Sequence, residues 1–318
     1  MQTVEQLKNL TGGCIPSQLN GTEYKYSAVA KNSLNTSELP LSFRLWSSGV
    51  KNQVDKGTCV AHALTSLKEI QDYYDTKSLE KYSTSWIYLV RQNGQYRGSG
   101  MMIKEAMTNL KDIGVVPYSM LPGNIEYSDG TLIGYHSDRN EEMKKEAKKH
   151  RINSYVMANN TNDIKKALYY DHSPVVIGVS IYESFYETQV NGIVPNPKVS
   201  SETLYGGHAM IIIGWIKIGK KEYWVVQNSW GETWGDNGYC YLEIDKFPIN
   251  EIWTSVDIED YPCNLTDIEG RWSQDVIEKC VRAGLIDGFE DNTFRPTEPM
   301  TREQVCSVMW KMLDKVTK

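Results

Sequence analysis

Apolar positions along the chain change texture twice. Val60, Ala63, Leu64, Leu67 and Ile70 recur at steps of three and one, the stripe of a helix that begins just after Asp55-Lys56-Gly57-Thr58. Cys59 therefore opens this helix. Further helices are predicted over 85–92, 102–113, 139–151 and 162–170. Strands then dominate: 175–179, 209–216, 223–227 and 238–244 are β-branched and aromatic runs separated by Gly, Asn and Lys turns, as in an antiparallel sheet. Helices first and strands second imply α+β halves. Upstream, residues 1–38 are polar and rich in Asn, Ser, Thr and Gly, and read as an extended arm with few core positions. Downstream of Pro262-Cys263, a helix over 273–283, a Gly/Asp/Asn-rich loop at 287–292 and a helix over 302–315 make a small all-α module. The expected divisions are 1–38, 39–262 and 263–318.

Composition narrows the class. A chain of 318 residues holds about two domains, and 40% apolar with 23% charged residues is a globular balance. A net charge of −6 argues against a nucleic-acid binder. The apolar runs 175–179 and 209–213 are far too short to span a bilayer, so no membrane partner is expected. The first ten residues lack the basic leader and apolar stretch of a signal peptide. Six cysteines lie scattered without Cys-x-x-Cys or zinc spacing, which argues against a disulfide scaffold and a structural metal.

Three motifs carry chemistry. In Gln53-Val-Asp-Lys-Gly-Thr-Cys59-Val-Ala-His62-Ala63, the cysteine sits where a helix dipole and open N–H groups stabilise a thiolate. Tyr205-Gly206-Gly207-His208-Ala209-Met210 places a histidine on a strand and supplies a base. In Gln227-Asn228-Ser229-Trp230-Gly-Glu-Thr-Trp234-Gly235-Asp-Asn-Gly238-Tyr239, an Asn follows a strand and a Trp trails it. An amide oxygen there orients an imidazole, and an indole over that bond excludes water.

Over about 39–262 the sequence resembles the papain-like cysteine peptidases. The resemblance implies an α+β fold in two halves, helical on the left and antiparallel β on the right, with the cleft between them. It implies Cys59 as nucleophile, His208 as base, Asn228 as orienting amide, and the Gln53 side chain with the Cys59 N–H as oxyanion donors. Gly98, Gly100, Gly207 and Trp230 take substrate-binding positions, with an ordinary turn as the alternative reading of Gly98 and Gly100. No metal or organic cofactor is implied, and the partner is a protein or peptide. Three departures stand out. Lys56 replaces the half-cystine three residues before the nucleophile, Val60 and His62 replace the aromatic pair beside it, and only about 38 residues precede the mature-like start at Leu39-Pro40, so latency by a long prodomain is not expected. His62 shares a helix face with Cys59 and is the rival base, though packing is its expected role. His136, His150 and His172 read as surface residues, and 141–151 as a solvated helix face.

Asp267 to Trp272, Ala283 to Pro296 and Met300-Thr301-Arg302-Glu303-Gln304 are similar to a single S-layer homology (SLH) repeat. Such repeats hold acidic cell-wall polysaccharide, which implies Arg302 as the carboxylate-binding fork, while Trp272 is either a sugar platform or a residue that closes the helix pair. The family sets three repeats in one prism. A lone repeat packs on the peptidase, pools with two other chains, or has a structural role. Localisation follows the same division: wall association after non-Sec release or lysis, otherwise cytoplasmic. The overall expectation is a wall-associated cysteine endopeptidase acting through a thioester. The alternatives are a peptidoglycan stem-peptide hydrolase with the same triad, and a non-catalytic wall-binding scaffold.

Overall fold

The computed structural model describes residues 8, 13–21, 23–26, 39–54, 56–77, 79–91, 100–122, 138–188, 191–256, 265–282, 285–286, 288–289, 291 and 293–316. The chain divides into two compact units, one of residues 1–18 and 34–256, the other of 19–33 and 257–318.

The larger unit runs β1 (Cys14–Ile15), β2 (Phe43–Arg44), α1 (Cys59–Thr76), α2 (Thr84–Leu89), β3 (Met101–Met102), α3 (Ile103–Asp112), α4 (Asp138–Ala147), β4 (Ser154–Met157), α5 (Thr161–Tyr169), β5 (Val175–Tyr182), a 3-10 turn at Glu183–Glu187, β6 (Leu204–Ile218), β7 (Lys221–Gln227), β8 (Tyr239–Glu243) and β9 (Glu251–Val256). The expected helices are present with ends shifted by a few residues. α1 packs against α2, α3 and β6. It is buried on every face from Cys59 to Gln71, wider than the stripe its sequence shows. Its charged positions are tolerated inside because they are paired. Glu69 is bonded to Lys51 and Ser48 and accepts the Tyr82 N–H at 3.0 Å, while Lys68 reaches Asp72 at 2.5 Å. The helix stops at Lys77, whose left-handed backbone (φ 59°) lets its N–H return to the Tyr73 carbonyl.

The sheet is antiparallel in the order β4-β9-β5-β6-β7-β8, with β2 added alongside β6. Two of its strands, β4 and β9, were not legible as strands because polar residues interrupt the apolar alternation. Those polar groups are satisfied inside the fold: Ser173 Oγ meets Thr254 Oγ1 at 2.9 Å and donates to the Ser255 carbonyl at 2.8 Å. The arm also departs from expectation. Cys14 and Ile15 pair in parallel with Met101 and Met102, and Cys14 is buried.

The smaller unit holds α6 (Gln274–Arg282) and α7 (Arg302–Val316), and the described residues between them are tied by hydrogen bonds. The Asp267 carboxylate accepts the Phe294 and Arg295 N–H groups at 2.8 and 2.7 Å, and Arg295 pairs with Asp291 at 2.9 Å while lying over the Phe289 ring. α7 opens with a reciprocal cap: Thr301 Oγ1 accepts the Gln304 N–H, and Gln304 Oε1 accepts the Thr301 N–H.

Candidate active site

Cys59 is the first residue of α1, and Thr58 before it makes no side-chain cap, so the helix start presents backbone N–H groups rather than a competing hydroxyl. The sulfur is wholly buried. Burial pushes the Cys59 thiol up to about 12, against the opposing pull of the N–H groups of Ala209, Val60 and Cys59 itself.

The β half supplies the partners. β6 carries His208 and β7 ends just before Asn228, and the two strands are neighbours in the sheet. His208 Nε2 lies 2.7 Å from Asn228 Oδ1. The amide oxygen accepts, so Nε2 carries the proton and Nδ1 is the open nitrogen; Nδ1 has no hydrogen-bond partner among the described residues. Burial draws the His208 imidazole down to about 4, and the bond to Asn228 works the other way. The Trp230 ring lies 5.0 Å from the imidazole at 40° and is itself completely buried against Phe185 and Tyr186, so the His–Asn bond is shielded from water.

Gln53 is buried in the loop that leads into α1. Its Oε1 accepts the Ser229 hydroxyl at 2.6 Å, its Nε2 donates to the Lys56 carbonyl at 2.8 Å, and its backbone N–H bonds the Ser229 carbonyl. The residue after Asn228 thus ties the Gln53 loop to the histidine side of the cleft. His62 points away from the base's role: Nδ1 bonds the Thr58 carbonyl at 2.9 Å, and burial draws it down to about 4. His150 is half-buried and His172 is exposed as expected, and each has an aromatic neighbour. His150 Nδ1 meets Tyr82 Oη at 2.9 Å, and His172 stacks on Tyr74 at 4.5 Å, because each ring covers an aromatic edge of the left half. His136 lies outside the described residues, as does Gly98. Gly100 is buried with φ 100°, its N–H donating to Tyr88 Oη and its carbonyl accepting from Arg91. The chain-pairing edge is instead the next two residues, Met101 and Met102.

That edge is occupied by the arm. The Met101 N–H donates to the Gly13 carbonyl at 3.0 Å. A Cβ on Gly13 would stand 2.9 Å from Cys59 Sγ and 2.7 Å from the Gly57 backbone, and a Cβ on Gly207 would fall on the Cys14 carbonyl oxygen. Glycine is required at both positions for two main chains to approach this closely. Residues 13–15 therefore lie across the junction of Cys59 with the His208 strand. Sequence reasoning missed this strand; the signal for it was the Gly12-Gly13 pair in an otherwise polar arm.

In the smaller unit, Trp272 is 92% exposed and Arg302 is exposed at the start of α7. Neither lines the groove of about 670 Å³ formed there, whose walls include Phe289, Phe294, Arg295 and Lys311.

Residues 44–259 match the family described as papain family cysteine protease, and 264–306 match the S-layer homology domain. The chain is 25% identical over 251 residues to cathepsin B-like cysteine proteinase 4 of Caenorhabditis elegans, covering 66% of this chain and 72% of that one. It is 29% identical over 100 residues to a cysteine protease of Blomia tropicalis, covering 31% of this chain and 29% of the mite protein. Among solved structures, its fold is similar to xylellain, a cysteine protease from Xylella fastidiosa (TM-score 0.67, 22% identity, 78% of this chain and 96% of that chain). It is also similar to procathepsin B S9 from Trypanosoma congolense (TM-score 0.61, 19% identity, 80% and 88%).

Proposed function

Since the chain belongs to the papain family of cysteine proteases, we propose that it cleaves peptide bonds through Cys59, His208 and Asn228, and that the arm-filled cleft is its latent form. The observation that supports this reading best is the 2.7 Å His208–Asn228 bond, which leaves Nδ1 as the proton-accepting nitrogen of a histidine on the strand that covers Cys59.

With the arm displaced, the thiol proton passes to His208 Nδ1, and Asn228 keeps the imidazolium oriented. The Cys59 thiolate attacks the substrate carbonyl, and the oxyanion is held by the Cys59 N–H at the helix start and by the Gln53 amide. Collapse of the tetrahedral species breaks the C–N bond, with the imidazolium giving its proton to the leaving amine. A thioester remains. Imidazole then takes a proton from water, hydroxide adds to the thioester carbon, and the acid leaves as Cys59 is regenerated. Gly207 and Trp230 line the approach as a close-packing surface and a water shield. The S-layer homology domain supports cell-wall association, with Arg302 and Trp272 as the polysaccharide contacts.

Cys59→Ala is expected to abolish turnover of a fluorogenic peptide with an unchanged far-UV spectrum, and an epoxide thiol reagent should label the wild type at Cys59 alone. Normal turnover by Cys59→Ala would end the reading.

A further inference from the structure

Against one face of α1 the larger unit holds a cavity of about 310 Å³, whose walls include His62, Lys51, Glu69, Lys81, Thr84 and Tyr118. Cys59, His208, Asn228 and Gln53 do not line it.

His62 is the group that calls for a ligand. It is 5% exposed, and its Nδ1 donates to the Thr58 carbonyl at 2.9 Å, since a carbonyl oxygen can only accept. Burial, with the Lys51 charge nearby, draws the ring down to about 4, so it is neutral at pH 7. Nε2 is therefore a bare acceptor, and it has no partner among the described residues. A buried acceptor left without a donor is costly, and the cavity is the space from which a donor can reach this one.

Charge sets a second requirement. Glu69 is engaged inside the fold by Lys51, by Ser48 and by the Tyr82 N–H. Lys51 divides its ammonium between Glu69 and Ser66 Oγ. Lys81 is exposed at the rim and forms no ion pair among the described residues. Two lysines thus line the cavity against one carboxylate, which leaves an excess of positive charge at its mouth. Thr84 and Tyr118 add hydroxyls that bond to no other described residue.

We propose that this cavity binds a sugar acid, with its carboxylate at Lys81 and a hydroxyl donating to His62 Nε2. The volume lies at the lower end of small-molecule sites, which suits a molecule of that size. An aliphatic acid supplies the charge and leaves Nε2 without a donor. A neutral polyol supplies donors and leaves the lysine excess unmatched. A polyhydroxylated carboxylate meets both demands, and its remaining hydroxyls face Thr84 and Tyr118. The occupant stands close to the machinery without entering the cleft, because the His62 Nδ1 bond ends on Thr58, the residue before Cys59. Binding here does not depend on Cys59 being the nucleophile.

Calorimetric titration of the full chain with D-gluconate, hexanoate and D-sorbitol separates the two demands, because the three share a six-carbon chain and differ in charge and hydroxyls. Gluconate should bind at least about tenfold tighter than either of the others, the low end for one charge-assisted contact. Lys81→Ala, a change at an exposed position, should weaken gluconate by about tenfold, and His62→Phe should abolish its binding. In chain labelled with 15N-histidine, gluconate should shift the His62 Nε2 resonance while Nδ1 keeps its proton, a readout that needs no substituted chain to fold. Hexanoate binding as tightly as gluconate removes the hydroxyl contact, and sorbitol binding as tightly removes the carboxylate contact; either overturns the proposal. Unchanged affinity in Lys81→Ala, or gluconate binding that leaves the His62 nitrogens unmoved, places the ligand elsewhere and overturns it too. So does the absence of both heat and shift at high gluconate concentration.

Discussion

In the mechanism proposed above Asn228 acts on the substrate only through His208, and the physical question at the residue scale is what its amide oxygen contributes. In the 2.7 Å bond it fixes the protonated nitrogen as Nε2 and keeps Nδ1 open. Asn228→Ala removes that preference and exposes the buried Nε2 to an unsatisfied state. We expect kcat to fall by about 10- to 100-fold with little change in KM, and the acid limb of the kcat/KM profile to move to lower pH, because the bond favours the charged ring. An unchanged profile would reassign Asn228 to packing. The same ring sets a pH rule for the arm. With the arm seated, His208 is held near 4, below the usual value near 6.5. Whatever part of that burial the arm supplies is an advantage of the seated form that is fully present above about 6.5 and declines as pH falls from there towards 4. The Cys59 thiol, raised to about 12, favours seating below its usual range near 9 and loses that favour only above it. Both shifts place the most stable latent form between these limits. Full-chain labelling of Cys59 by a thiol epoxide should therefore speed up between pH 7 and pH 5, and a rate that only falls over that interval would contradict the linkage. Cys59, His208, Asn228 and Gln53 were legible because motif and spacing name residue types directly.

At the scale of elements, long periodic segments were readable and two-residue strands were not. α1 and the β5–β8 meander follow from apolar spacing, whereas β1 and β3 carry too few residues for any period. Yet on the reading proposed above it is β1 that closes the cleft. Its hold rests on two residues of parallel pairing, the Gly13 approach to Cys59, and the Ser17 contacts to Glu251 and Lys104. Such a short element is easily displaced. Gly13→Val should raise the full chain's initial rate on a small peptide by at least about tenfold at pH 7 and remove the lag before steady state, with the thermal midpoint of the body within a few degrees of wild type. Equal rates for both chains would show that the arm does not govern access. The 39–262 expectation treated the arm as separate from the catalytic body, because a polar composition conceals a strand that gains its burial entirely from its partner.

On the scale of the whole molecule, the chain joins a peptidase body to a unit of a different physical kind. The body buries a large mixed core, while α7 leaves Val305, Met309, Trp310, Met312 and Leu313 exposed. One repeat buries too little surface to cover its own helix, and apolar positions left open in this way are the usual cue for neighbouring repeats. The order of motifs was legible because the Thr301-to-Gln304 cap, the Gly288 turn and the aromatic positions occur in sequence; how a single copy covers its apolar helix was not, because that depends on surfaces outside the repeat. Wall attachment should accordingly combine charge with self-association. Arg302 is exposed at the start of α7, where a guanidinium fork suits a carboxylate, and Trp272, at 92% exposure, offers a flat face to a sugar ring. In co-sedimentation with purified S-layer-type walls, the full chain should bind less as salt rises from about 50 to 500 mM, since exposed charge contacts are screened. Arg302→Ala should reduce binding by about tenfold, and Trp272→Ala should weaken it without altering its salt dependence. Binding should also steepen with protein concentration as chains pool sites and raise their effective concentration. Salt-independent binding that survives Arg302→Ala would remove Arg302 from the contact, and a strictly linear isotherm would remove self-association.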